Sequence, residues 1–359
     1  MHLVVDARMI NHSGIGVYLR NLLPRVASAR PDWRVSAFLP AAEGRIPYGI
    51  TPIACESDIY TLAEQRELVA RMPRDVDLVW SPHYNVPLFT RAPWIVTIHD
   101  VAHLARPDGR GVVRASRLAY ARFFLSQVRR RARRILFDSH FTRREFEHRV
   151  GAPRSAEVIH LGVDEKWKLT PDSVRVRPHD RPFIIFIGNV KPHKNLQRLL
   201  EAFALLAPRL PHDLVLVGAI AGLRSIDRTA MAAAKRLGDR VRLVGQVDDS
   251  VLQDFVSHAD ALVFPSLYEG FGLPPLEAMA AGVPCVVSDI PPVREMCGSA
   301  PVYFDPMDPC DMAVRIESVL LDPERRRRMI EDGRARIVDF SWESTARQTV
   351  EALAEVSIG

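Results

Sequence analysis

The sequence predicts an α/β protein made of two doubly wound, parallel-sheet domains. Three observations lead there. The chain has 359 residues, beyond the roughly 250–300 at which one hydrophobic core stops growing. Short apolar runs alternate with stretches of helical periodicity along its whole length, as expected for parallel strands joined by crossover helices. Both halves also open alike, with an apolar strand, a glycine turn and a helix. The expected division is a first domain at residues 1–165, a linker at 166–182, a second domain at 183–340 and a last helical segment at 341–359. In such sheets the default ligand site is the crevice at the carboxyl ends of the strands.

In the first half Leu3–Asp6 reads as a strand. Gly14-Ile15-Gly16 then leads into a helix over Val17–Ala27, where Val17, Leu19, Leu22, Leu23 and Val26 recur at helical spacing. Strands follow at Trp33–Leu39, Val76–Trp80, Trp94–Ile98, Ile135–Asp138 and Ala156–His160, with helices at Leu62–Met72, Val112–Arg134 and Phe141–Val150. Residues 165–182 hold three prolines and many charges, a linker composition. The alternation then restarts with strands at Phe183–Gly188, Leu214–Val217, Val241–Leu243, Ala261–Phe264, Cys285–Ser288 and Val302–Phe304. The matching helices are Leu196–Leu206, Ile226–Leu237, Val251–His258, Pro274–Ala281, Asp311–Leu321 and Trp342–Ala354.

Apolar residues make up 47% and charged residues 25%, a balance that excludes disorder, collagen and a disulfide mini-protein. No apolar run approaches the ~20 residues of a membrane span. The amino terminus, MHLVVDARMI, shows no secretory signal, so a cytoplasmic protein is expected. Cys55, Cys285, Cys297 and Cys310 lack metal-ligand spacing and read as free thiols in a reducing compartment. The net charge of +5 is uneven: residues 1–165 carry +7 and residues 166–359 carry −2.

The segment richest in chemistry is Pro265–Gly282, PSLYEGFGLPPLEAMAAG. Gly270 and Gly272 allow a tight loop after a buried strand, and Pro274 and Pro275 suit the first turn of a helix. The amides of Phe271, Gly272 and Leu273 then stand at a helix amino terminus, where a phosphate is held. Glu269 and Glu277 flank the loop, and a carboxylate accepts two hydrogen bonds from a vicinal diol. One acid can hold a sugar and the other a ribose, with a diphosphate between them.

This segment resembles the EX7E segment of the retaining glycosyltransferases of family 4. The match extends to Gly14-Ile15-Gly16 with Tyr18, Thr97-Ile98-His99-Asp100, Asp138-Ser139, Leu161-Gly162-Val163-Asp164, Gly188-Asn189 with Lys194-Asn195, Val244-Gly245-Gln246-Val247, Glu295 and Phe340-Ser341-Trp342. The resemblance implies a GT-B fold, two facing Rossmann-like domains with a cleft between them, and a last helix that crosses back to the first domain. It implies no cofactor and no metal, only a sugar-nucleotide donor. Glu269 would bind the donor hexose, Glu277 the ribose, and the amides of Phe271, Gly272 and Leu273, beside Gly270, the phosphates. Lys194 would neutralise the diphosphate, with Asn189 at the neighbouring strand end, and the Val247 backbone would meet the base. On the acceptor side stand Gly14, Tyr18, His99 and Asp100, while Gly16 would join the donor-binding set. Gly16 would let the first loop approach the diphosphate, and His99 would lie near the sugar's 6-position. The catalytic set so implied is His99, Glu269 and Lys194. Retention would proceed on one face, the leaving phosphate taking the acceptor's proton.

One departure stands out. Many members of the family carry Arg where this chain has Asn189, and His193, Lys191 and Arg224 are the candidate substitutes. Asp248-Asp249 reads as helix amino-terminal charge rather than a metal-binding DxD. Arg106–Arg134 holds ten arginines and one acid, with apolar residues interleaved. A solvated helix face and an interfacial surface for anionic lipid head groups or a lipid-diphosphate acceptor are both open. Nucleic acid is disfavoured because no binding motif accompanies the charge.

The expected activity is hexosyl transfer from a sugar nucleotide to an oligosaccharide or lipid-linked acceptor in surface polysaccharide or lipopolysaccharide synthesis, at the inner face of the plasma membrane. The overall pattern resembles O-antigen mannosyltransferases, which implies GDP-mannose as donor; UDP-glucose, UDP-N-acetylglucosamine and a rhamnose nucleotide stay open. The competing readings are a catalytically silent GT-B scaffold and a dinucleotide-dependent oxidoreductase. Against the latter, Ser13–Tyr18 lacks the third glycine of GxGxxG.

Overall fold

The computed structural model describes all residues except 42–47, 107–110, 169–176, 219–227 and 359. The chain divides into two compact units: residues 1–162 with 340–359, and residues 163–339.

Among the described residues the first unit holds seven parallel strands, β1 (His2–Asp6), β2 (Arg34–Pro40), β3 (Ile50–Cys55), β4 (Leu78–Ser81), β5 (Trp94–Ile98), β6 (Arg134–Phe137) and β7 (Ala156–Val158), in the order β3-β2-β1-β4-β5-β6-β7. Its helices are α1 (Ser13–Ala29), α2 (Leu62–Arg71), α3 (Ala102–Ala105), α4 (Gly111–Arg131) and α5 (His140–Val150). Strands β1, β4 and β5 are buried along their whole length, because a parallel sheet has crossover helices on both faces.

The second unit repeats the plan. It holds β8 (Phe183–Ile187), β9 (Asp213–Val217), β10 (Val241–Gly245), β11 (Ala261–Phe264), β12 (Cys285–Ser288) and β13 (Val302–Phe304), in the order β10-β9-β8-β11-β12-β13. Around them run α6 (Leu196–Leu206), α7 (Arg228–Arg236), α8 (Asp249–His258), α9 (Leu273–Ala280), α10 (Pro291–Cys297), α11 (Pro309–Leu320) and α12 (Pro323–Arg336). Its core centres on Phe186, Leu199, Phe203, Leu216, Val263 and Ile316.

The last helix, α13 (Trp342–Ile358), belongs to the first unit. Trp342 is fully buried there, beside Tyr18 at 6.3 Å. The Thr345 hydroxyl donates to the His160 carbonyl at 2.8 Å, and Arg25 pairs with Glu343.

Three differences from the sequence expectation have physical causes. Gly14 and Gly16 lie inside the first turns of α1 rather than in a turn before it. A Cβ at Gly16 would fall 2.4 Å from the Ile10 carbonyl oxygen, so a bare α-carbon is what lets that loop lie on the helix. Strand β3 (ITPIAC) is exposed at half its positions. As a proline-bearing edge strand it lacks a continuous apolar run. Helix α12 has only Met329 and Gly333 buried and otherwise reads as a run of charges. All four cysteines are free, and among the described residues no helix is long and apolar enough to cross a membrane.

Candidate functional site

In the second unit the loop after β11 and the start of α9 carry the site. Gly272 is the N-cap of α9 with φ +99°, a left-handed conformation, and Pro274 and Pro275 occupy the first turn. Of the first three residues of α9 only Leu273 carries an N–H, and it has no intrahelical acceptor. Phe271 is buried and anchors the loop.

The structure brings Lys194 to Glu269 although they are 75 residues apart. The Lys194 ammonium donates to Glu269 Oε1 at 2.6 Å, and both side chains are more than four-fifths buried. Lys194 also lies 5.6 Å from the centre of the Phe264 ring. The pair offers one ammonium and one carboxylate beside a helix amino terminus, a set suited to a diphosphate and a diol.

Asn195 holds this pair in place, and sequence reading gave it no role. It is one of two non-glycine residues with positive φ among the described residues, at +59°. Its side-chain amide donates to the carbonyls of Pro265 (3.0 Å) and Pro306 (2.7 Å), and its carbonyl accepts from Arg198. The Leu267 amide donates to the His193 carbonyl at 2.8 Å. The Lys194 turn is thus tied to the segment that enters Glu269. A Lys-Asn pair just before a helix was the available signal, since Asn tolerates the left-handed conformation.

Glu277 lies in a second group, with Lys166, Trp167, Asp164 and Asp249 around it. Burial pushes its carboxyl up to about 7, and Lys166 opposes the shift while Asp249 and Asp164 reinforce it. Asp249, two residues beyond Val247, is the first residue of α8 and accepts from the Lys166 ammonium at 2.6 Å. Among the described residues no group of three or more His, Cys, Asp or Glu could hold a metal ion.

Of the candidate substitutes for arginine at Asn189, Arg224 lies outside the described residues. Lys191 donates its backbone amide to the Asn189 carbonyl at 2.8 Å. The charge brought to Glu269 is that of Lys194.

In the first unit His99 stands just past the end of β5. Its Nδ1 meets Asp138 Oδ2 at 2.5 Å, and Asp138 is buried. Burial alone would lower the imidazole pKa, but the Asp138 carboxylate outweighs it and the net shift is upward. The contact assigns the Nδ1 proton to the Asp138 side. Ser139 caps α5 through the Thr142 amide, and the Thr142 hydroxyl donates to the His99 carbonyl. Tyr18 is buried against the His99 ring at 4.7 Å, and its hydroxyl pairs with Thr97 at 3.1 Å. Tyr18 thus supports His99 from inside the unit. The Asp100 carboxylate accepts from the Ala102 amide and starts α3. Gly14 has open space around its α-carbon.

The parallel-sheet topology of each unit and these strand-end groups define the class, a glycosyltransferase of two Rossmann-like units. A "Glycosyltransferase Family 4" model matches residues 12–167, and a "Glycosyl transferases group 1" model matches residues 172–336. The chain belongs to the family 4, group 1 glycosyltransferases. O-antigen chain mannosyltransferase B of Escherichia coli is 28% identical over 95% of both chains. The MMP alpha-(1->4)-mannosyltransferase of Mycolicibacterium hassiacum is 33% identical over 57% of this chain and 51% of its own length. The fold is shared with the lipopolysaccharide glycosyltransferase WaaG, at TM-score 0.76 and 18% identity over 98% of this chain and 99% of that one. Anabaena HepE in complex with UDP-glucose matches at TM-score 0.78 and 18% identity over 99% and 100%.

Proposed function

We propose that this glycosyltransferase moves mannose from GDP-mannose, with retention and without a metal ion, to a growing glycan or lipid-linked acceptor in surface polysaccharide synthesis. The observation that carries the reading is the Lys194–Glu269 pair at the start of α9. The mannosyltransferase relatives support the choice of sugar. Glu269 takes the hexose hydroxyls, Lys194 and the amides of Phe271, Gly272 and Leu273 take the diphosphate, and Glu277 takes the ribose. As the bond from the anomeric carbon to phosphate oxygen breaks, negative charge grows on the leaving diphosphate. A fixed ammonium and fixed amide dipoles stabilise that charge without reorganising. The acceptor oxygen bonds to the anomeric carbon on the same face, and its proton passes to the leaving phosphate. His99, with Asp138 behind it, is the first unit's own candidate catalytic group.

The test is a thermal-shift screen over GDP-mannose, UDP-glucose, UDP-N-acetylglucosamine and a rhamnose nucleotide. A ligand at 100 times its dissociation constant adds about 2.7 kcal/mol of stability. GDP-mannose should give the largest shift, and a flat response to all four sinks the reading.

A surface role at the cytoplasmic face of a membrane has its own observation. Helix α4 leaves Val113, Arg114, Arg117, Arg122 and Phe123 exposed, and Phe89 is 72% exposed. Cationic and apolar side chains on one element suit an anionic bilayer surface. Arg131 does not contribute freely. Its guanidinium lies over the Trp94 ring at 4.3 Å and donates to the Leu88 carbonyl.

A further inference from the structure

The carboxyl ends of β1, β3, β4 and β5 carry a group of side chains outside the roles described so far. Arg8 is buried and grips Asp6 with two hydrogen bonds of 2.8 Å, and it donates to fully buried Glu64 at 3.1 Å. Glu64 also accepts from the side-chain amide of Asn85 and from the backbone amide of Tyr60, the latter at 2.9 Å. Above this ionic group lies a nest of rings. Tyr60 meets His83 at 5.6 Å, Tyr120 at 5.7 Å and Tyr84 at 6.4 Å, and Tyr84 meets His103 at 5.7 Å.

Tyr60 differs from the rest. It is 41% exposed, and its backbone is left-handed at φ +72°. That conformation is unfavourable for an aromatic residue and is kept only where the surroundings enforce it. Here a buried carboxylate, itself fixed by a buried arginine, holds the Tyr60 amide. The arrangement spends backbone strain to keep an aromatic ring at the surface.

We propose that Tyr60, backed by His83 and Tyr120, is a saccharide platform that receives the terminal pyranose of the acceptor glycan. The proposal rests on the glycosyl-transfer reading and deepens it. An aromatic ring with a polar handle matches a pyranose, which has an apolar C–H face and a rim of hydroxyls. Tyrosine offers that area at small conformational cost because it has few side-chain torsions.

The hydrogen bonds say what the handle does. The Asn85 amide donates to His83 Nδ1 at 3.1 Å, so the His83 proton sits on Nε2. That proton faces the Tyr60 oxygen at 3.1 Å. Burial holds His83 far down, at about 3, so the ring stays neutral. The Tyr60 oxygen therefore accepts from His83 and also bonds the Tyr84 side chain, so the exposed ring carries a fixed polar edge.

Ligand-observed saturation-transfer NMR on the full chain tests this. The probes are the methyl α-glycosides of mannose, glucose and N-acetylglucosamine. At least one should show transfer to its ring C–H protons. Tyr60→Phe keeps the ring and should stay within about threefold of wild type. Tyr60→Gly removes the ring yet suits the positive φ, so the fold is kept, and its affinity should drop at least tenfold. No glycoside binding by wild type, or unchanged binding by Tyr60→Gly, overturns the proposal. Calorimetry with GDP-mannose separates the two readings. Loss of nucleotide binding in wild type removes the donor assignment and leaves the glycoside result standing. Intact nucleotide binding with unchanged glycoside binding by Tyr60→Gly removes only the platform.

Discussion

The two units share one strand order and use their carboxyl ends in opposite ways. In the first, the end of the sheet is built from buried charge: Asp6, Arg8, Glu64 and the Asp138 behind His99 are all closed off. In the second, Lys194 and Glu269 keep some exposure next to a helix amino terminus. A closed network positions other groups, whereas a pair that keeps some exposure beside a helix start is the candidate ligand site. The shared topology fixes where chemistry can sit, and the loops decide which kind sits there.

The largest expected effect sharpens this contrast. Glu269→Gln keeps a partner for Lys194 yet should lower transfer by about 10³ or more, while thermal melting shifts little. Lys194→Ala should cost about 10²–10³ in kcat, the scale of one fixed donor to a developing anion. Near-wild-type turnover in both would move the chemistry away from the second unit.

Asp138→Asn comes next. With the carboxylate gone, burial opposes only the contributions of Asp100 and the Pro82 backbone, and the imidazole pKa should fall from its raised position. An NMR titration of the His99 ring reads this directly. An unchanged His99 titration would show that the buried Asp138 charge does not act on the imidazole.

Asn195→Ala should raise the GDP-mannose dissociation constant about tenfold, since the Lys194 turn loses its ties to Pro265 and Pro306. It leaves two buried carbonyls short of a donor, at about 1–3 kcal/mol. The discriminating result is a rise in dissociation constant larger than any fall in stability explains.

The smallest effect concerns pH. Glu277 ionises near 7 when folded and near 4.5 when unfolded. The folded state thus holds its proton more tightly, and this contribution to stability is complete below pH 4.5 and lost as pH rises through 7. Glu277→Gln should melt higher than wild type at pH 8, with the difference fading toward pH 5. Nucleotide affinity of the wild type should rise across pH 6–8 as the carboxylate forms, and that rise should vanish in Glu277→Gln.

The sequence made much of the site legible. Glycines and prolines in Pro265–Gly282 announce the glycine-capped, proline-started helix by local chemistry alone. It could not reveal that Lys194 closes on Glu269, because that contact joins segments 75 residues apart. Asp138 reads as an ordinary acid after a strand until the parallel pairing of β5 with β6 places it beside His99. Tyr60 shows no signal at all, because its conformation is imposed by Glu64, and Glu64 is held by a residue at position 8. The arginine-rich helix misled in one respect: its charge is plain in the sequence, but stacking on Trp94 ties Arg131 to the fold.

By itself the sequence determined two parallel-sheet units and the glycine-proline helix start, since periodicity, φ preference and missing N–H groups act over a few neighbouring residues. Only the tertiary structure decided which charges are paired, which are buried and which aromatic ring is held at the surface. Those outcomes depend on distances and desolvation between strand ends that lie far apart in the chain.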